Sequence, residues 1–316
     1  MDQDMLLHIG YHKTGSTYLQ NRVFDGGRFA FGTISDDDRF LKKEICFQHI
    51  DLFDQPGVAQ CFKAACSEIA SAGRYPVYTN ESLSGQLFSG GIESLRTAQR
   101  LKAAAPSARV LIVIREQNSI LLSSYNQFVR HGGRDTLAQF LTNETNGFLR
   151  FHRSHFAYHH LIKGYQDAFG TDKVLVLPFE MLAVDPIEYI DRILQFCGLP
   201  KTSLDTTEVA LGSRLNPSIP FCGIVLKRWF NFFVAPSRPG LTRRPIFYSS
   251  RWTNNVIKHR LKSFSRRLPD RWNKSVKKQY QQVIEEMIHD YYVESNHKTM
   301  ALTGIDLGEY GYRLNK

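Results

Sequence analysis

The chain has 316 residues, of which 42% are hydrophobic and 12% aromatic. It is long enough to bury a sizeable core, and too apolar for a disordered or fibrous protein. The formal net charge of +10 admits anionic partners such as nucleotides, acidic glycans or a membrane surface. The charge is regional: residues 227 to 278 hold 15 Lys or Arg against a single acid, Asp270. Five cysteines, without CxxC pairs or histidines at zinc-site spacing, argue for buried thiols over a disulfide framework or a structural metal. The N-terminus, MDQDMLLHIG, is unlike a signal peptide, and no run of about 18 apolar residues exists to span a bilayer. A cytoplasmic protein is expected.

In chain order, MLLHIG predicts a first strand, with a helix from about Ser16. PVYTN at 76 to 80 predicts a second strand, RVLIVI at 109 to 114 a third and KVLVLPF at 173 to 179 a fourth. The unbroken apolar run of the third suits a strand covered on both faces. Helical spacing falls at 57 to 72, 91 to 105, 117 to 131, 151 to 169 and 186 to 197. This alternation predicts an α/β fold in which helices cover both faces of a parallel sheet and ligands collect at the carboxyl ends of the strands. Beyond CGLP at 197 to 200, helices are expected at 216 to 233 and 273 to 302, with VAPSRPGLTRRPIF as a loop between them. The simplest organisation is one domain over residues 1 to 316, with an α/β core to about residue 212 and a helical, basic part from about 213.

The turn GYHKTGST after the first strand carries the strongest signal. A helix that follows a strand exposes backbone N–H groups with no intrahelical partner, and the peptide dipoles add positive potential there. Gly10 and Gly15 remove Cβ atoms where the backbone bends or approaches a ligand. Lys13 adds a full charge, and Ser16 and Thr17 add hydroxyls. The order is not that of a Walker A loop, GxxxxGK[ST], in which the lysine directly precedes a magnesium-binding hydroxyl.

The turn instead resembles the 5′-phosphosulfate loop, GxxKTG[ST]T, of sulfotransferases that use 3′-phosphoadenylyl sulfate (PAPS). A second half-site resembles the same family: Arg115 ends the third strand, Ser123 lies eight residues on and Tyr125 follows. The segment 174 to 200 resembles the family's strand, YE.L turn and closing helix, with Phe179 in place of the usual Tyr, and YYVESNHKTMALTGIDLGEYGY resembles the tails of bacterial members. The resemblance implies a three-layer fold like that of P-loop proteins. It implies PAPS as cosubstrate, held by His12, Lys13, Thr14, Gly15, Ser16, Thr17, Arg115 and Ser123, with no metal.

Sulfuryl transfer leaves the protein two tasks, in-line positioning and stabilisation of developing charge. Lys13 is the expected stabiliser of the leaving group, and backbone N–H groups of residues 14 to 17 are expected on the 5′-phosphate. A base is also required. Glu81, just past the second strand, is the first candidate because glycan-directed family members carry a catalytic Glu in a comparable place; a helix cap started by Asn80 is the alternative. His12 is the nearest rival as base. His8 is expected to point into the sheet, His131 to lie too far away, and the remaining histidines, His159 and His160 included, to sit on helix surfaces. GSRLNPS at 212 to 218 offers Arg214 as a weak substitute for the family's glycine-rich C-terminal loop.

Basic and aromatic residues interleave from 220 to 275. Three roles stay open for them: an anionic membrane surface on the inner face of the plasma membrane, a groove for an acidic glycan, and a structural or partner-facing surface. No nucleic-acid reading module is present. The expected acceptor is a hydroxyl or amine of a saccharide, a glycolipid or a small metabolite. Two rivals remain: a P-loop kinase or nucleotidase, which would require magnesium, and a non-catalytic nucleotide- or membrane-binding relative.

Overall fold

The computed structural model describes residues 4–25, 27–36, 39–142, 151–201, 219–236 and 246–315. Five strands, β1 (Leu6–Gly10), β2 (Phe31–Thr33), β3 (Tyr75–Thr79), β4 (Arg109–Ile114) and β5 (Val174–Pro178), form a parallel sheet in the order β2-β3-β1-β4-β5. β1 is central, with Leu6 in register with Val77 on one side and Arg109 on the other. Its residues alternate between two apolar layers. Leu7 and Ile9 join Val110, Ile112 and Ile114 on one face, while Leu6 joins Val77, Leu111 and Val113 on the other. Both faces are buried, so the strands read as continuous apolar runs.

The first layer is covered by α3 (Gln55–Ser71), α4 (Ser94–Ala104), α5 (Gln117–Arg130) and α7 (His159–Phe169), and the second by α1 with its π-helical continuation (Ser16–Tyr18, Leu19–Phe24), α8 (Met181–Val184) and α9 (Pro186–Phe196). The short helices α2 (Phe40–Lys42) and α6 (Leu137–Thr142) fill connections. Local chemistry sets several starts. Asp54 and Asp185 cap α3 and α9 ahead of a proline in the first turn, and Glu116 caps α5 by accepting from the Asn118 and Ser119 N–H groups.

The last third contains α10 (Phe221–Phe233), α11 (Arg251–Ser265), α12 (Asp270–Ile288) and α13 (Val293–Thr303). Ile224, Ile284, Ile288 and Tyr292 join the first apolar layer, so this part shares the core of the sheet. Its details depart from the periodicity. The helix expected over 273 to 302 is two, parted at His289, whose φ is 27°. α11 had no clear apolar stripe to announce it. The ends of the expected loop pair as short parallel strands, β6 (Val234–Pro236) and β7 (Phe247–Ser249). β2 was missed because it is a three-residue edge strand. The helix expected over 151 to 169 begins only at His159, after a 3-10 turn. The expected boundary near residue 212, and Arg214, lie outside the described residues. Cys46, Cys66, Cys197 and Cys222 are buried as expected, whereas Cys61 is exposed.

After β1 the chain turns toward β2 and β3, and after β4 toward β5. The connections diverge between β1 and β4, which opens a crevice at the carboxyl ends of those two strands.

Candidate functional site

The loop after β1 enters this crevice. Thr14 is 1% exposed; its hydroxyl donates to the Tyr11 carbonyl at 2.6 Å and its N–H to the same oxygen at 3.3 Å. Thr14 therefore shapes the loop, and the N–H groups left for an anion are those of Gly15, Ser16 and Thr17. Gly15 has φ 78°, and a Cβ there would lie 2.4 Å from the Phe179 ring. Both facts require glycine, since αL geometry costs other residues about 1–2 kcal/mol before any clash. Gly15→Ala is expected to lower the melting temperature, as measured by thermal denaturation.

Lys13 also has positive φ, 74°, a strained conformation for a lysine. It is braced from across the crevice, where Arg115 Nη1 donates to the Lys13 carbonyl at 2.7 Å. Arg115 stacks over Phe179 at 5.2 Å, and the buried Tyr158 hydroxyl donates to its backbone carbonyl. Its Nε is buried without a partner. The next turn of chain is tied down from the C-terminus. Glu180 accepts from the Glu116 N–H at 3.1 Å and from the Tyr312 hydroxyl at 3.3 Å. Gln117 donates to Asn296 at 2.6 Å, and Asn296 donates to the Arg313 carbonyl at 2.9 Å.

β3 neighbours β1, so Glu81, just beyond its end, meets the loop. Its two oxygens face different partners, His12 Nδ1 at 2.8 Å and the Ser16 hydroxyl at 3.0 Å. The capping role foreseen for this segment is present: Asn80 caps the 3-10 turn Glu81–Ser84 by accepting from the Ser82 N–H. Burial alone would raise the pKa of Glu81, but the hydrogen bond and charge of His12, the Ser16 hydroxyl and the Lys13 ammonium hold it down at about 2. Burial lowers the pKa of Lys13; Glu81 opposes this, while Arg130 and Arg115 add to it. His12 Nε2 is buried without a partner. When the ring is neutral and Nδ1–H is donated to the carboxylate, that nitrogen carries the lone pair. His8 lies in the sheet, bonded to Thr79 at 2.7 Å, and burial pushes its pKa down to about 4 despite the opposing charge of Glu81.

Ser123 is half-buried on the second turn of α5. Gln127 and Arg130 follow at i+4 and i+7, which places all three on one helix face. Gln127 Oε1 and Arg130 Nε are buried without partners, as is Gln86 Nε2 beyond β3. Arg130 was not singled out in the sequence because nothing in its neighbourhood resembles a motif; only folding carries its charge close to Lys13. His155 corrects the expectation of surface histidines. It is 7% exposed, its ring packs 5.0 Å from Tyr11, and its Nε2 is also unpartnered. His159, at the start of α7, bonds to Ser295 at 2.8 Å. His131 ends α5, its ring beside Phe88.

A model of the sulfotransferase family matches residues 28–203, more than half of the chain. The chain belongs to the sulfotransferase family, whose enzymes move a sulfuryl group from a donor to an acceptor. The match begins beyond the first loop, so the assignment of residues 10 to 17 rests on their own geometry. In fold, the chain is similar to a sulfotransferase from Alicyclobacillus acidocaldarius, with a TM-score of 0.54 and 16% identity over 98% of this chain and 99% of that one. A mouse sulfotransferase complexed with 3′-phosphoadenosine-5′-phosphate (PAP) aligns with a TM-score of 0.36 and 13% identity over 88% of this chain and 89% of that one. Curated proteins gave no match to the sequence.

Proposed function

We propose that the chain transfers the sulfuryl group of PAPS to a hydroxyl of a polar acceptor, a saccharide, glycolipid or small metabolite, with no metal in the step. The observation that carries this reading is the bridge across the crevice, where Arg115 reaches the Lys13 carbonyl. Two cations and an open helix start thus line the same crevice between β1 and β4, where a ligand with two anionic groups is favoured. When bound, PAPS supplies an activated sulfuryl group on an anhydride oxygen. The N–H groups of Gly15, Ser16 and Thr17 hold the 5′-phosphate. Lys13 donates to the bridging oxygen as charge develops there. Arg115 and Ser123 hold the 3′-phosphate, and the unpartnered Arg115 Nε gives that group a donor to meet.

The proton of the acceptor passes to the Glu81–His12 pair. Glu81 is ionised and the more exposed of the two, with 39% of its side chain accessible against 12% for His12. A carboxylate with a pKa near 2 is a weak base alone, and its hydrogen bond to His12 gives the proton a second place to rest. The polar face of α5 supports a hydrogen-bonding acceptor over a purely apolar one. The anionic surface of a membrane's cytoplasmic side is the proposed place of this chemistry, supported by the basic segment after residue 227.

The decisive experiment is transfer of labelled sulfate from PAPS into fractionated cell extract. Incorporation that needs PAPS supports the reading, whereas phosphoryl transfer from ATP and magnesium would replace it with the kinase rival. Arg115→Lys is expected to weaken PAP binding about 10- to 100-fold, because a lysine cannot reproduce a guanidinium's paired contacts. Calorimetry should also find that this variant no longer prefers PAP to adenosine 5′-monophosphate.

A further inference from the structure

The basic third of the chain carries an apolar projection. On α10 the buried residues Ile224, Lys227 and Asn231 face α5, where Asn231 donates to the carbonyls of Val129 at 2.8 Å and Gly133 at 2.7 Å. On the other side, Trp229, Phe230 and Phe233 are 58%, 48% and 56% exposed. They do not stand alone. Val234 is in register with Phe247, and the Ile246 N–H reaches the Phe232 carbonyl at 3.5 Å, which sets β7 against the end of α10. Ile246, Phe247 and Tyr248 are 66%, 66% and 57% exposed. Six large apolar side chains therefore gather at one end of a helix pair, more than a surface normally leaves in contact with water.

Cations follow from this tip along α11 into α12. Arg260, Arg266, Arg267, Arg271, Lys277 and Lys278 are exposed, and the single acid of the segment, Asp270, already pairs with Lys274 at 3.0 Å. Two more exposed aromatics, Phe264 and Trp272, lie where these two helices meet. Aromatic residues with both a ring and a polar edge suit the boundary between headgroups and acyl chains, and arginines and lysines suit lipid phosphates. A second copy is a poor occupant, because two such basic segments would repel each other.

We infer that this surface docks on an anionic lipid bilayer, with Trp229, Phe230, Phe233, Ile246, Phe247 and Tyr248 inserted at the headgroup boundary and the α11–α12 cations on the phosphates. The inference deepens the membrane placement proposed above and is independent of the donor: a chain that transfers sulfate but ignores lipid would overturn the docking alone. Asn231 bonds α10 to the end of α5, so the docked surface is joined to the helix that carries Ser123 and Arg130.

The test is co-sedimentation of the full chain with vesicles of phosphatidylcholine, alone or mixed with phosphatidylglycerol. Binding at least tenfold stronger to the mixed vesicles is expected, together with a loss as salt rises and the Debye length shrinks below about 8 Å. Brominated lipids should quench the indole emission, and Trp229→Phe should remove part of that quenching. Phe230→Ser combined with Phe247→Ser should weaken vesicle binding at least tenfold while PAP binding is unchanged, because both side chains already face solvent. Equal binding to both vesicle types, no binding, or binding that the double variant leaves intact would overturn the proposal. So would self-association abolished by the same variant, which would assign the patch to a second copy.

Discussion

Lys13→Gly is expected to cut sulfuryl transfer sharply while leaving the protein at least as stable as the parent. The two effects have separate causes in one residue. Lys13 occupies φ 74°, a region that costs a non-glycine residue on the order of 1–3 kcal/mol and persists only where its surroundings fix it. Glycine takes that conformation freely, although it surrenders about 0.5–1 kcal/mol of the gain to the entropy of the unfolded chain. The substitution also removes a half-buried ammonium from the company of Arg130 and Arg115. The melting temperature should hold or rise. Transfer should fall by about 10²–10³-fold, the usual consequence of removing a donor from the oxygen that gains charge in the transition state. A variant that melts well below the parent would show that Lys13 is a structural residue, and one with full turnover would remove it from the reaction.

Glu81→Gln should separate binding from turnover. The amide matches the carboxylate in shape, so the loop keeps its form and PAP affinity should stay within a few-fold of the parent. Turnover should fall about 10²–10⁴-fold, the range expected when a positioned base is lost. If the Glu81→Gln variant turned over normally, the proton would have to leave by another route, with His12 alone as the first alternative. Acid titration offers an independent readout. The carboxyl has a pKa of about 2 in the folded chain, against about 4.3 when unfolded. It therefore contributes stability above the unfolded value, and that contribution disappears as pH falls through the folded one. Between about pH 4 and pH 2 the parent should lose stability faster than the glutamine variant. The same low pKa means that an acid limb in the rate profile near pH 4 to 5 would not belong to Glu81.

Much of this site was legible because its two halves are local. GYHKTGST carries glycines, lysine and hydroxyls within one turn, which reads as an anion-favouring corner, and RVLIVIR ends an apolar run in a cation; their assignment to two ends of one donor came from the family resemblance. The meeting of His12 with Glu81 had no such signal. The residues are 69 positions apart and come together only because β1 and β3 are neighbours in the sheet and both end at the same edge. Phe179 stood out only as a substitution, although its ring fills the space that forces residue 15 to be glycine. Arg130 and His155 left no mark in the sequence. Their position follows from tertiary packing, and neither a motif nor a periodicity marks them. The helices of the last third were harder to bound because exposed aromatics there blur the apolar stripe that elsewhere marks a buried face.

The ties from Tyr312 to Glu180 and from Asn296 to both Gln117 and the Arg313 carbonyl make the tail a buckle over the strap that carries Arg115. A chain cut before Tyr312 would keep its sheet and its first loop yet grip the donor at one end only. Truncation should thus mimic an arginine lesion made nearly two hundred residues upstream, and an expression tag placed close behind that buckle would sit beside the same contacts.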